Sequence, residues 1–138
     1  MVLTQEEINN WEESEAYYSG SDYQVDMTPL DMVKQFANIT GQTPTPSLYV
    51  KLIGEELDEW TKEGMVRSEQ DLKELADLVY VLYGYANAMG YDLDEAVRRV
   101  HESNLGRVRQ DDGTVVFRED GKVLKNENAP KCDLSNLI

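Results

Sequence analysis

The chain has 138 residues, 41% of them hydrophobic, enough for one domain with a real core and too few for two. Thirteen bases against 27 acids give a formal net charge of −14, so neither nucleic acid nor an anionic membrane is an expected partner; the bases are too scattered to offset the repulsion. A single cysteine, Cys132, excludes an intrachain disulfide and a thiolate zinc site.

The amino-terminal MVLTQEEINNWEE carries acids where a secretory signal needs bases and an apolar stretch. The longest nearly uncharged run, Leu78 to Tyr91, is interrupted by Gly84, Asn87 and Gly90 and is too short to span a bilayer. A cytoplasmic, reducing location is expected.

Thr4 and Glu7 have capping-box spacing and predict a short polar helix to about Tyr17, followed by a loop, SGSDYQVDM. A stronger start comes at TPLD, with Thr28 as N-cap, Pro29 in the first helical position and Asp31 three residues after the cap. That helix stops at Gly41. The connection QTPTP cannot continue it, and the next helix runs from about Ser47 to Lys62. Ser68 caps a third, to about Met89, which Gly90 ends; a fourth spans about Leu93 to Leu105. Two β-prone runs then flank Asp120-Gly121, and a short hairpin or a packed loop both fit them. Residues 28–138 read as one helical domain with an N-terminal extension, 1–27, before it.

The segment GEELDEW poses a physical problem, because Glu55, Glu56, Asp58 and Glu59 crowd four carboxylates into five residues. Like charges at helical neighbour spacing repel. At about 100° per residue, Leu48, Tyr49, Leu52, Ile53, Leu57 and Trp60 make an apolar arc, and Glu55, Glu56 and Glu59 project on it or at its edge. Asp58 projects with Lys51 and Lys62 on the solvent side. In the following helix Glu74 and Asp77 are neighbours on the side continued by Val81, Gly84 and Ala88, within a helix whose later part lacks charge and is expected to be surrounded by protein. Either acidic motif alone reads as solvated surface. On two successive inward-leaning helices, five carboxylates need compensation, by raised pKa values or by hard divalent cations, and the all-oxygen set suits Mg²⁺ or Mn²⁺.

Glu55-Glu56-x-x-Glu59 followed by Glu74-x-x-Asp77 resembles the signature of the all-α nucleoside triphosphate pyrophosphohydrolases, which include MazG, the dimeric dUTPases and phosphoribosyl-ATP pyrophosphohydrolase. TPLDMVKQF, DLVYVLYGYA, HESNLGR and REDGKVLK resemble the small MazG-like branch of bacteria and phages. The resemblance implies an all-α helical bundle, oligomeric as a dimer or tetramer, that cleaves a nucleoside triphosphate to monophosphate and pyrophosphate in a bacterial or phage-infected cytoplasm. It implies Mg²⁺ or Mn²⁺, two or more ions per site, on Glu56, Glu59, Glu74 and Asp77, with Glu55 an auxiliary ligand or a water-orienting base. The base itself stays open among Glu55, Glu56 and Glu59. A deoxynucleotide is expected, dGTP or dUTP leading.

Asn104 follows the Leu93, Val97, Val100 stripe, so an inward-facing amide near the nucleotide and a helix-ending amide satisfied by backbone are both open. Arg107 stands where the branch commonly has Lys. Lys122 and Lys125 match the basic tail that reaches the phosphates, or are ordinary solvated lysines. Tyr80 and Tyr83 read as core or interface rather than base-stacking groups, and His101 as structural or exposed.

Two metal alternatives fail on spacing. A di-iron carboxylate protein needs Glu-x-x-His, and the residue three before His101 is Arg98; neither DLDE nor QDDG alternates oxygens as an EF-hand must. The rival from another class is an acidic non-enzymatic binding protein, such as an inhibitor mimicking DNA charge, which predicts acids spread over the surface.

Overall fold

The computed structural model describes residues 26–138; the helix expected at Thr4 to Tyr17 and most of the loop after it lie outside the described residues. Helix α1, Pro29–Thr40, begins with the reciprocal cap: Thr28 Oγ1 accepts from the Asp31 amide at 3.2 Å, and Asp31 Oδ2 accepts from the Thr28 amide at 3.1 Å. Helix α2 spans Pro46–Lys62; its expected start near Ser47 moves back to Pro46 because Thr45 Oγ1 accepts from the Leu48 amide at 3.3 Å. Helix α3, Glu69–Met89, is capped by Ser68 as expected. Helix α4, Leu93–Gly106, has an unanticipated cap in Asp92, whose Oδ1 accepts from the Glu95 amide at 3.1 Å. Each cap satisfies backbone donors that a helix's first turn otherwise leaves open.

Of the two readings of the carboxyl-terminal tail, the hairpin is the one formed. Strands β1, Val116–Phe117, and β2, Val123–Leu124, pair antiparallel with Val116 opposite Leu124 and Phe117 opposite Val123. Gly121, at φ 89°, provides the left-handed turn residue. A 3₁₀ turn at Ser135–Leu137 closes the chain, with Arg99 of α4 donating to the Asp133 carbonyl at 3.3 Å and to Asn136.

The α2 and α3 helices form an antiparallel pair, and α1 lies against the second half of α3. Leu30 and Val33 of α1 bury against Ala86 of α3, flanked by Tyr83 and Leu93. Tyr49 of α2 is buried beside Gly84. One flank of α3 is left uncovered among the described residues: Val79 and Leu82 remain 40% and 41% exposed. Leu78 to Tyr91, expected to be surrounded by protein, is thus only partly covered by the described residues of one chain. Leu57, Val97 and Val100, assigned to apolar stripes, are likewise exposed.

Candidate active site

Glu56 and Glu59 descend the inner side of α2, and Glu74 rises from the first turns of α3. One carboxylate oxygen from each lies within 4.8 Å of the others. Glu74 is buried, Glu56 half-buried and Glu59 exposed, so the group opens to water on one side. Two of its oxygens, Glu56 Oε2 and Glu74 Oε2, are buried with no hydrogen-bond partner among the described residues. The other Glu74 oxygen accepts from the Gln70 side-chain amide one turn earlier.

An unpartnered buried carboxylate oxygen costs free energy that a surface acid never meets. Burial and the charges of Glu59, Asp77 and Glu74 push the Glu56 carboxyl above its ordinary range, against a smaller downward pull from Lys73. Three carboxylates with two idle oxygens are a hard-oxygen donor set, and Mg²⁺ or Mn²⁺ fits that chemistry.

The other expected acids stand differently. Asp77 is close enough for its charge to reach Glu56, but it lies beside the three-carboxylate group, and its Oδ2 holds the Lys73 ammonium at 2.6 Å. Glu55 is exposed and outside the group. Gln70 and Lys73 escaped the sequence reading; their positions four residues before Glu74 and Asp77 were the signal, because such pairs meet on a helix.

Away from the acids, the expected substrate residues are dispersed. Asn104 is exposed, which corrects the inward-facing option: the α4 stripe before it is itself uncovered. Arg107 turns toward the tail, its Nε donating to the Asn126 carbonyl at 3.3 Å and its Nη2 lying 3.6 Å from Glu127. Asn126, buried, returns a backbone hydrogen bond to the Arg107 carbonyl at 2.8 Å and donates through its side chain to Asp111 at 2.9 Å. Lys122 and Lys125 are exposed on and beside the hairpin. Tyr80 stacks edge-on against Phe36, with ring centres 6.0 Å apart, and Tyr83 packs on the core; both serve packing, as expected. His101 is exposed.

The family model for phosphoribosyl-ATP pyrophosphohydrolase matches residues 33–104, just over half of the chain and all of the acidic helix pair. The chain belongs to the phosphoribosyl-ATP pyrophosphohydrolase family. It is a nucleotide pyrophosphohydrolase with an all-α body. Among solved structures, a cyanophage S-2L MazG-like pyrophosphohydrolase bound to dGDP and three catalytic Mn²⁺ ions per active site is similar at 18% identity and a TM-score of 0.48, over 73% of this chain and 91% of that one. No curated protein matches the chain. No helix among the described residues of this pyrophosphohydrolase is long and apolar enough to cross a membrane.

Proposed function

We propose that residues 28–138 form a metal-dependent pyrophosphohydrolase that cleaves a nucleoside triphosphate, with a deoxynucleotide such as dGTP or dUTP as preferred substrate, to the monophosphate and pyrophosphate in the cytoplasm. The observation carrying this reading is the meeting of Glu56, Glu59 and Glu74 from two helices, with two buried oxygens left without partners. A charge-mimicking surface has no use for idle buried oxygens, whereas a cation site needs them.

In this reading Glu56, Glu59 and Glu74 hold Mg²⁺ or Mn²⁺, and Asp77 joins them once freed from Lys73. When bound, the ions would supply positive charge for the phosphate oxygens and make a water more acidic. A carboxylate would accept a proton from the attacking water as its oxygen bonds to phosphorus and the bond between the α and β phosphates breaks, with pyrophosphate leaving. Glu56 and Glu59 are better placed for this than Glu55, which stands outside the group. The basic tail with Lys122 and Lys125, the Asn104 amide, and Arg107 once released from Glu127 supply further contacts to substrate. A homo-oligomer, dimer or tetramer, completes the pocket by covering the bare flank of α3.

The test is turnover across the common ribo- and deoxyribonucleoside triphosphates with Mg²⁺ or Mn²⁺. Monophosphate plus pyrophosphate is the expected pair of products. Diphosphate plus orthophosphate, or no turnover across the panel, refutes the proposal.

A further inference from the structure

We propose that Lys73 is the built-in counter-cation of the acidic site: its ammonium occupies Asp77 until a divalent ion enters, and must give up that carboxylate as the ion takes it. This rests on the metal reading above and extends it to how readily the site fills. Lys73 Nζ lies 2.6 Å from Asp77 Oδ2 and 3.8 Å from Glu74 Oε1. Among the described residues, no other base lies within ion-pair distance of Glu56, Glu59, Glu74 or Asp77. The ammonium thus stands where positive charge is scarce, on the one acid that is near the cluster but not yet part of it.

Exposure makes the arrangement reversible. The Lys73 side chain is 63% exposed and that of Asp77 37%, so the ammonium regains water as soon as it lets go. Partly exposed pairs of this kind are weak. The pair's orientation, with the base four residues before the acid, is also the less favourable one on a helix. A doubly charged ion outcompetes such a partner, yet must still displace it and tolerate a nearby positive charge. Lys73 therefore raises the metal concentration needed to fill the site while keeping the metal-free protein from carrying the cluster's repulsion unrelieved.

The experiment compares the full-length protein with Lys73→Met, which keeps the stem and removes the charge, and Lys73→Arg, which keeps the charge. Thermal melts are followed across a MnCl₂ titration, with Glu74→Gln as control and Lys73→Gln as a second neutral variant. The Mn²⁺ midpoint should fall by about two- to five-fold in both neutral variants, the range expected for losing an exposed pair, and stay near wild type in Lys73→Arg. Without metal, Lys73→Met should melt below wild type, and the midpoint gap should shrink as KCl is raised, because exposed charges are screened. A neutral-variant midpoint that is unchanged or higher, while wild type gains stability from Mn²⁺ and Glu74→Gln does not, overturns the role of Lys73 alone. A wild type that gains nothing from Mn²⁺, or a Glu74→Gln protein that gains as much, overturns the metal reading and this inference with it.

Discussion

The ring of Tyr49 on α2 rests against the α3 backbone at Gly84, so closely that a Cβ on Gly84 would overlap ring carbons. This contact fixes the register of the two helices. Seven residues on from Tyr49 stands Glu56, and seven back from Gly84 stands Asp77; ten on and ten back are Glu59 and Glu74. Because the helices run antiparallel at equal rise per residue, the contact that seats Tyr49 also brings the acids level. Gly84→Ala should cost about 1–3 kcal/mol, the usual range for overpacking, read as a shift in the urea midpoint. Pairing it with Tyr49→Val should recover part of the loss; simple addition of the two effects would show that the ring is not what Gly84 accommodates.

Removing the charge from Glu56 should stabilise the metal-free protein. The Glu56 carboxyl is pushed up by burial and by Glu59, Asp77 and Glu74, so the folded state holds its proton more tightly than the unfolded chain does. Its penalty is absent below the unfolded value of about 4.3, grows as pH rises through the window up to the raised folded value, and is complete above it. Thermal melts in EDTA should therefore place Glu56→Gln above wild type at neutral pH and level with it near pH 4. With Mn²⁺ present the order should reverse, because wild type gains stability by mass action and the variant does not.

Turnover should separate the acids that converge from Glu55, which stands outside the group. Glu59→Gln and Glu74→Gln should each lose about 100-fold or more in kcat/KM, the scale of removing a ligand or proton acceptor at the reacting centre. Glu55→Gln should stay within about tenfold of wild type on the same scale. A Glu55→Gln protein as inactive as Glu74→Gln would return the proton-accepting role to Glu55.

The bare flank of α3 makes a prediction about assembly. Leu72, Leu75, Val79 and Leu82 fall at helical spacing and are 66%, 40%, 40% and 41% exposed, an apolar stripe left uncovered among the described residues. Leu75→Glu combined with Leu82→Glu should convert an oligomer to monomer in sedimentation experiments. An unaltered oligomer would mean that the stripe is not the contact.

Asn126 closes the tail onto α4 through Arg107 and Asp111. Asn126→Ala keeps the backbone bonds to Arg107 but leaves Asp111 and the Asn128 amide each short of a hydrogen bond, and should cost about 1–3 kcal/mol in denaturant melts. Faster amide exchange confined to residues after Arg107 is the expected companion.

How much of this was legible beforehand follows from which forces are local. Thr28, Ser68, Gly41 and Gly90 act through bonds and dihedral limits within a few residues, so the helix ends they set were readable in one dimension. The caps at Thr45 and Asp92 were equally local but were passed over. The acidic motifs were readable for a related reason: carboxylates at helical spacing on an inward-leaning side announce an energetic problem wherever they are placed.

What the chain order could not yield was which acids meet. Helical projection put Glu55, Glu56 and Glu59 alike at the apolar edge, yet only Glu56 and Glu59 reach Glu74, because inward is defined by where α3 lies and not by the apolar arc alone. Arg107 and Asn104 show the same limit, one drawn off by the tail and the other left in solvent. The sequence by itself determined the four helices of the described residues, their stops and an excess of carboxylates in need of a counter-charge, since these depend on short-range geometry and on composition. The tertiary structure alone decided the helix register, the two idle oxygens and the pairing of Lys73 with Asp77, since each depends on how closely side chains from different turns and different helices approach.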